Sequence, residues 1–244
     1  MMILPGNVQD YAANANNGLA AVHLGCGSMR MEGWLNCDYI NGGVADVLFD
    51  VQERWPLKEN SVAMVYASHM LEHLPYPIDF FREMHRVVVQ GGEICLRLPY
   101  GATDAAMADL THMRPWYAES FLSLQPGYGR SIGNPQHDDW PYPYGIQKII
   151  LKLSRRFRLW IRLPLIRRAF MQVIHHLQNV IDEIFVYMFP LKTPEAIESF
   201  LKDHSPRAAY VEYGMMSNDY YGQPFVRGEP RELIPLVAVV RGVG

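Results

Sequence analysis

The stretch that most narrows the choice of fold runs from Val22 to Asp50, VHLGCGSMRMEGWLNCDYINGGVADVLFD. An apolar run, Ala20 to Leu24, turns through Gly25, Cys26 and Gly27. A second run, Trp34 to Cys37, ends on Asp38, and a third, Val47 to Phe49, ends on Asp50. Strand, glycine turn, strand and acid are the parts of an α/β nucleotide pocket. Glycines let the backbone approach a ligand where a Cβ would collide. A carboxylate at the carboxyl end of the next strand can accept hydrogen bonds from both ribose hydroxyls. The dinucleotide fingerprint has three glycines and an acid about 20 residues on. Here Asp38 follows Gly27 by only 11 residues, and Gly33 lies too far along to be the third glycine of a helix start. That leaves little room for a crossover helix, which argues against a pyrophosphate on a long helix N-terminus and so against NAD or FAD. A purely structural glycine turn is the alternative on this stretch alone.

The next residues sharpen the choice. Pro56-Leu57, Asn60-Ser61, a strand, Leu71-Glu72-His73-Leu74, a helix ending Arg86-Val87, then Gly91-Gly92 and another strand follow in order. Over about residues 20 to 100 this succession resembles the class I S-adenosylmethionine (SAM)-dependent methyltransferases, in a subgroup with a short Gly-Cys-Gly motif. The resemblance implies a Rossmann-like, mostly parallel sheet of about seven strands whose last strand is antiparallel. It implies SAM as cofactor, with Gly25, Cys26 and Gly27 against the methionine part, Asp38 and the adjoining Tyr39 at the ribose, Asp50 and Val51 at the adenine, and Ser68 and His69 beyond strand four.

The 244 residues, 49% hydrophobic and 19% charged, suit one domain with a sizeable insertion. Cys26, Cys37 and Cys95 form no CxxC pair. A reduced, cytosolic protein without disulfides or a metal site is therefore expected. The N-terminus lacks the n- and h-regions of a signal peptide, and no run of about 18 apolar residues suggests a spanning helix.

Along the chain, residues 1–19 read as a polar arm and 20–100 as the cofactor-binding core. Strands are expected at 20–24, 34–37, 46–49, 62–67 and 93–98. The turn signal Asn41-Gly42-Gly43 suits tight connections with truncated helices. A helix from Pro77, ended by Gly91-Gly92, should bury Ile78, Phe81, Met84, His85 and Val88. Residues 100–145 are loop-rich and aromatic, including Tyr100, Trp116, Tyr117, Phe121, Tyr128, Trp140, Tyr142 and Tyr144; they read as a lid or acceptor pocket, or as a packed surface loop.

Residues 146–190 read as a basic helical insertion. Ile146, Ile149, Ile150, Leu153, Phe157, Trp160 and Ile161 fall on one helical face, and a second such pattern runs from Ile166 to Met188. Its basic residues suggest a membrane-surface contact, an anionic-substrate or nucleic-acid patch, or a solvated face behind a packed one. A cytoplasmic protein peripheral to a membrane fits the first of these. Residues 191–244 read as a helix starting Thr193-Pro194-Glu195 and a closing strand pair, 208–213 and 236–241. A homo-oligomer is compatible with all of this.

SAM carries its own sulfonium leaving group, so the enzyme chiefly positions two reactants and sets the acceptor's protonation. An oxygen nucleophile needs a base with a pKa near working pH, usually His. The candidates are His112, in a loop expected beyond strand five, and His73, in the Leu-Glu-His-Leu motif. His69 and the His137-Asp138-Asp139 run are weaker alternatives, the latter as base or metal ligand. After strand four stands Ala67-Ser68-His69-Met70 rather than the Pro-Pro-aromatic motif of amino-directed DNA methyltransferases, and no Pro-Cys follows. DNA base methylation is disfavoured. The expected acceptor is a small molecule, sugar or lipid-linked intermediate, methylated on oxygen or nitrogen. A non-catalytic SAM-fold module, acting through basic helices 146–168, is the second possibility.

Overall fold

The computed structural model describes residues 19–157, 177–203 and 211–214. Eight strands form one sheet, β1 (Ala20–Leu24), β2 (Leu35–Asp38), β3 (Val47–Leu48), β4 (Val62–Ser68), β5 (Val88–Pro99), β6 (Tyr144–Leu153), β7 (Ile181–Pro190) and β8 (Val211–Gly214). Their order is β3-β2-β1-β4-β5-β7-β6-β8. All pairings within β3-β2-β1-β4-β5 are parallel; β7 runs antiparallel between β5 and β6, and β8 pairs parallel with β6. The expected Rossmann-like, mostly parallel sheet with one reversed strand is therefore present, with β8 as a short edge strand where a strand is expected over 208–213.

The reversed strand lies elsewhere in the sequence than expected. Ile181–Pro190 and Tyr144–Leu153 are strands, where the spacing of apolar residues predicts helices. Two effects produce the false helical period. Both strands are inside the sheet and bury residues on both faces, so their sequences read as near-continuous apolar runs. A register shift between Ile146 and Lys148 also moves the alternation out of phase, as one extra residue in a strand does. Isoleucine enrichment over 146–150 was the sequence signal for a strand. The basic residues at this end are correspondingly not a helical face: Lys148 stands over the Tyr187 ring, and Lys152 pairs with Glu183. The N-terminal arm, the remainder of the basic segment over 158–176 and the strand at 236–241 lie outside the described residues.

The first connection shows how the chain passes from β1 to β2 without a helix. Asn36 is fully buried on β2, and its side chain serves the connecting loop. Its Oδ1 accepts from Met31 N–H (2.9 Å), and its Nδ2 donates to the carbonyls of Met31 (3.1 Å) and Trp34 (2.9 Å) and to Asp46 Oδ2 (3.1 Å). Asp46 in turn accepts from Asn36 N–H and pairs with Arg30 at 2.8 Å. One side-chain amide thus satisfies backbone groups that a helix would otherwise satisfy internally.

Helix α1 (Pro77–Val87) covers β4 and β5 with Phe80, Phe81, Met84 and Val87, while Ile78, expected in the core, is exposed. The Arg86 of the Arg-Val motif has a structural task. It forks onto Glu83 and donates to the carbonyls of Leu57 (2.9 Å) and Trp55 (3.1 Å), while Glu83 accepts from Trp55 N–H. That clamp ties the Pro56-Leu57 segment to α1. The helix ends at Val87, before Gly91-Gly92. Those glycines sit instead in an irregular start of β5, where Val62 pairs Val88 but Met64 already pairs Glu93. A Cβ on Gly92 would stand 2.6 Å from Val88 Cγ1 and 3.0 Å from the Ala63 carbonyl.

Residues 100–143 form the short helices α2 (Asp104–Ala108), α3 (Ala118–Leu122) and α4 (Tyr128–Ser131) with a 3-10 turn at Pro135–Asp139. Tyr100, Trp116, Phe121 and Tyr144 are buried in the main core. Trp116 stacks on Phe121 at 5.2 Å, and the Tyr144 hydroxyl donates to the Phe81 carbonyl. These aromatics are packing, not an exposed lid. Helix α5 (Pro194–Asp203) starts as expected, with Thr193 Oγ1 accepting from Ala196 N–H.

Asn36→Ala removes the partners of several buried backbone groups at once. The expected loss is on the order of 3 kcal/mol, the upper range for orphaned buried polar groups. Urea unfolding measures it, with Cys37→Ala as a comparison that removes core volume without touching the loop.

Candidate active site

The carboxyl ends of β1, β2, β3 and β4 lie side by side, because Leu24 pairs with both Cys37 and Ala67 and Asp38 pairs with Leu48. Gly25 and Gly27 leave β1 with φ of 63° and 54°, a region where a Cβ is strained. Gly25 is also crowded: a Cβ there would stand 2.7 Å from Met70 Cγ. Gly27 faces open space, so its backbone angle alone calls for glycine. Asp38 closes on this bend. Its Oδ2 accepts from Gly27 N–H at 2.7 Å and its Oδ1 from Ile40 N–H at 2.9 Å. A carboxylate offers about four lone-pair sites, so two bonds leave capacity for a diol. Tyr39 and Ile40 beside it are largely exposed.

Asp50 stands two residues past β3, and its Oδ1 accepts from Gln52 N–H at 2.9 Å. The chain here is bound to β2, since Phe49 N–H donates to the Asp38 carbonyl. Val51 packs against the core, and its carbonyl accepts from Trp55 Nε1. The Cys26 side chain is buried, and its thiol is pushed up to about 11 by that burial and by the charge of Asp38. Cys26 is therefore a neutral, buried side chain.

At the end of β4, Ser68 pairs with Arg97, and His69 turns with φ 52°. His69 Nε2 meets Glu183 Oε1 at 2.9 Å, and its Nδ1 lies 3.3 Å from Glu72 Oε1. Glu183 also accepts from Arg97 Nε (2.8 Å) and pairs with Lys152. Burial works against charge on both members. The contacts to Glu183 and Glu72 outweigh it for His69, whose pKa rises to about 9. For Glu183 the bonds from His69 and Lys152, with the Arg97 charge, bring the pKa down to about 2. Arg97, Lys152 and Glu183 escaped the sequence reading. The available signal was charge inside apolar runs, a lone one in ICLRLP and in IILKL and an acidic pair, Asp182-Glu183, in IDEIFVYMF.

His73 and His112 come together. Their rings meet edge to face, 4.8 Å between centroids. The loop carrying His112 is tied to the Leu71–His73 turn by Met113 N–H donating to the Glu72 carbonyl (2.8 Å). His73 Nδ1 contacts Thr111 Oγ1 at 3.0 Å, and His112 Nδ1 contacts the Ala106 carbonyl at 3.1 Å. Around them Met107, Leu110 and Met113 are exposed, Leu110 completely. Asp138, of the His-Asp-Asp run, instead accepts from Gly129 and Arg130.

Replacing Glu183 with Gln leaves the Arg97 guanidinium, 3% exposed, without its anion. A loss of about 3–5 kcal/mol is expected, as for one removed partner of a buried ion pair. The native carboxylate has a depressed pKa, so its stabilisation is complete above about 4.5 and fades as pH falls toward about 2. Denaturant midpoints between pH 2 and 6 should show that slope in the native chain and a weaker one in Glu183→Gln.

Residues 30–96, less than half of the chain, match the family described as a methyltransferase domain. No curated protein matches the sequence. Among solved structures, a SAM-dependent methyltransferase from Archaeoglobus fulgidus is similar at 14% identity and TM-score 0.47, over 75% of this chain and 90% of that one. One from Mesorhizobium loti gives 13% identity and TM-score 0.41 over 74% and 95%. Geranyl diphosphate C-methyltransferase from Streptomyces coelicolor gives 11% identity and TM-score 0.38 over 74% and 75%. Residues 30–96 are thus similar to a methyltransferase domain, and the acid-closed glycine bend lies at the start of and just before that stretch.

Proposed function

We propose that the protein transfers a methyl group from SAM to an oxygen or nitrogen of a small acceptor with an apolar portion, such as a lipid-linked or sugar intermediate. The observation that carries this reading is the closure of Asp38 on the Gly25–Gly27 bend, at the edge where β4 delivers Ser68 and His69. In it, the bend lies along the methionine part, Asp38 and Tyr39 take the ribose, and Asp50 and Val51 border the adenine. The apolar rim of Met107, Leu110 and Met113 supports an acceptor with hydrocarbon surface, because water-facing side chains of this kind are covered when such a ligand binds.

His112 and His73 stand on the acceptor side in this reading. The Ala106 carbonyl can only accept, so it holds the proton on His112 Nδ1 and leaves Nε2 as the basic atom. Such a base removes the acceptor proton as the methyl group arrives. Methyl transfer itself is a displacement at the sulfonium carbon, so the remaining contribution is alignment of the two reactants.

Calorimetry with SAM and its demethylated product tests the cofactor reading. Binding in the micromolar range is expected, with Asp38→Ala weakening it by about 10-fold or more, the equivalent of roughly 1.4 kcal/mol in lost ribose hydrogen bonds. Absence of binding of either ligand below millimolar concentration overturns it. With an acceptor in hand, His112→Ala should lower kcat by about 10²-fold or more while the affinity for SAM stays unchanged. An unaltered kcat removes His112 as the base.

A further inference from the structure

The geometry points to a binding site for a first-row transition dication, Zn²⁺ above all, formed by Glu72, His73 and His112. One ligand atom from each lies within 4.8 Å of the others. Glu72 is 1% exposed; His69 Nδ1 stands 3.3 Å from its Oε1, and its Oε2 has no hydrogen-bond partner among the described residues. A buried carboxylate so placed is costly unless a cation or donors meet it.

Both imidazoles are prepared as ligands by their neighbours. Thr111 Oγ1 donates its proton to Asp109 Oδ1 at 2.7 Å, so toward His73 Nδ1 it can only accept. The Ala106 carbonyl does the same for His112 Nδ1. Each ring thereby carries a proton on Nδ1 and offers Nε2 as the ligand atom, with His112 Nε2 lying 3.7 Å from Asp109 Oδ2; outer partners orient metal-binding histidines in this way. Two imidazoles and a carboxylate suit zinc with one position left open, and imidazole disfavours magnesium and calcium. Ligands about 2.0–2.1 Å from a tetrahedral ion stand about 3.3 Å apart. Closing the present spacing of up to 4.8 Å to that value requires side-chain movement, and His73 is exposed.

The site stands on these three side chains alone, and only its use in catalysis rests on the methyl-transfer reading. There, the ion would lower the pKa of an acceptor heteroatom at its open position, the proton would pass to solvent, and His112 would act as a ligand with zinc bound and as the base only without it.

The test uses the full chain stripped with EDTA and titrated with ZnCl₂ by calorimetry. One equivalent should bind. Thr111→Val, which removes no ligand, should weaken it by about 10-fold or more, and His73→Ala and Glu72→Gln should weaken it further. Co²⁺ should give the visible bands of nitrogen and oxygen ligation, without the near-ultraviolet sulfur charge transfer that Cys26, Cys37 or Cys95 would produce. Glu72→Gln keeps the shape of the side chain while ending its ion pair with His69, and circular dichroism with the zinc-free melting temperature confirms that lost zinc binding is read on a folded chain. No stoichiometric binding, a thiolate spectrum, or binding unchanged in both His73→Ala and Glu72→Gln overturns the site. SAM calorimetry in EDTA on the same preparation separates the two readings, because SAM binding without zinc binding removes only the metal site, and zinc binding without SAM binding removes only the cofactor reading.

Discussion

The buried amide of Asn36 is the constraint on which the glycine bend at the end of β1 depends. Parallel strands need a crossover, usually a helix, and here the chain returns from β1 to β2 through a short loop. Such a loop carries backbone donors and acceptors into a dry region. Asn36 meets them from β2 itself, so the strand that ends in Asp38 also fixes the loop that begins with Gly25. The close approach of Gly27 N–H to the Asp38 carboxylate follows from this double anchoring.

A second polar cluster does similar work farther along the sheet. Glu183 on the reversed strand β7 joins Arg97 on β5, Lys152 on β6 and His69 past β4. Three cations around one anion tie four chain segments together at the end of the sheet where His69 leaves β4. Burial disfavours charge on His69 and Glu183, and their hydrogen bonds within the cluster keep both ionised. A reversed strand filling the gap between β5 and β6 thereby also supplies the charge that orders the neighbouring turn.

The positions that crowd the candidate site are unlike the core in one respect. Around β1 and β4 the interior is aliphatic and aromatic, whereas Glu72, His73 and His112 gather polar atoms beside the exposed Met107, Leu110 and Met113. Polar atoms held next to uncovered apolar surface are what a bound organic molecule needs, with one part recognised by direction and the other by contact area.

The order of local signals was enough to specify the parallel half of the molecule. The glycine bend, the acids at strand ends, Pro77 at a helix start and the Thr193-Pro194-Glu195 cap each act through nearest neighbours, and all appear where the residues put them. Arg86-Val87 was legible as a motif, but its reason, the Glu83–Trp55–Leu57 clamp, needed the fold. The strands at 144–153 and 181–190 were not legible, because two-sided burial and a bulge imitate a helical period and only sheet pairing, of β7 with β5 and of β6 with β7, distinguishes them. Nor could the sequence join His112 to His73, or Glu183 to Arg97 and Lys152. Those meetings depend on the order of strands in the sheet, and chain-distant charges come together only once hydrophobic burial has fixed that order.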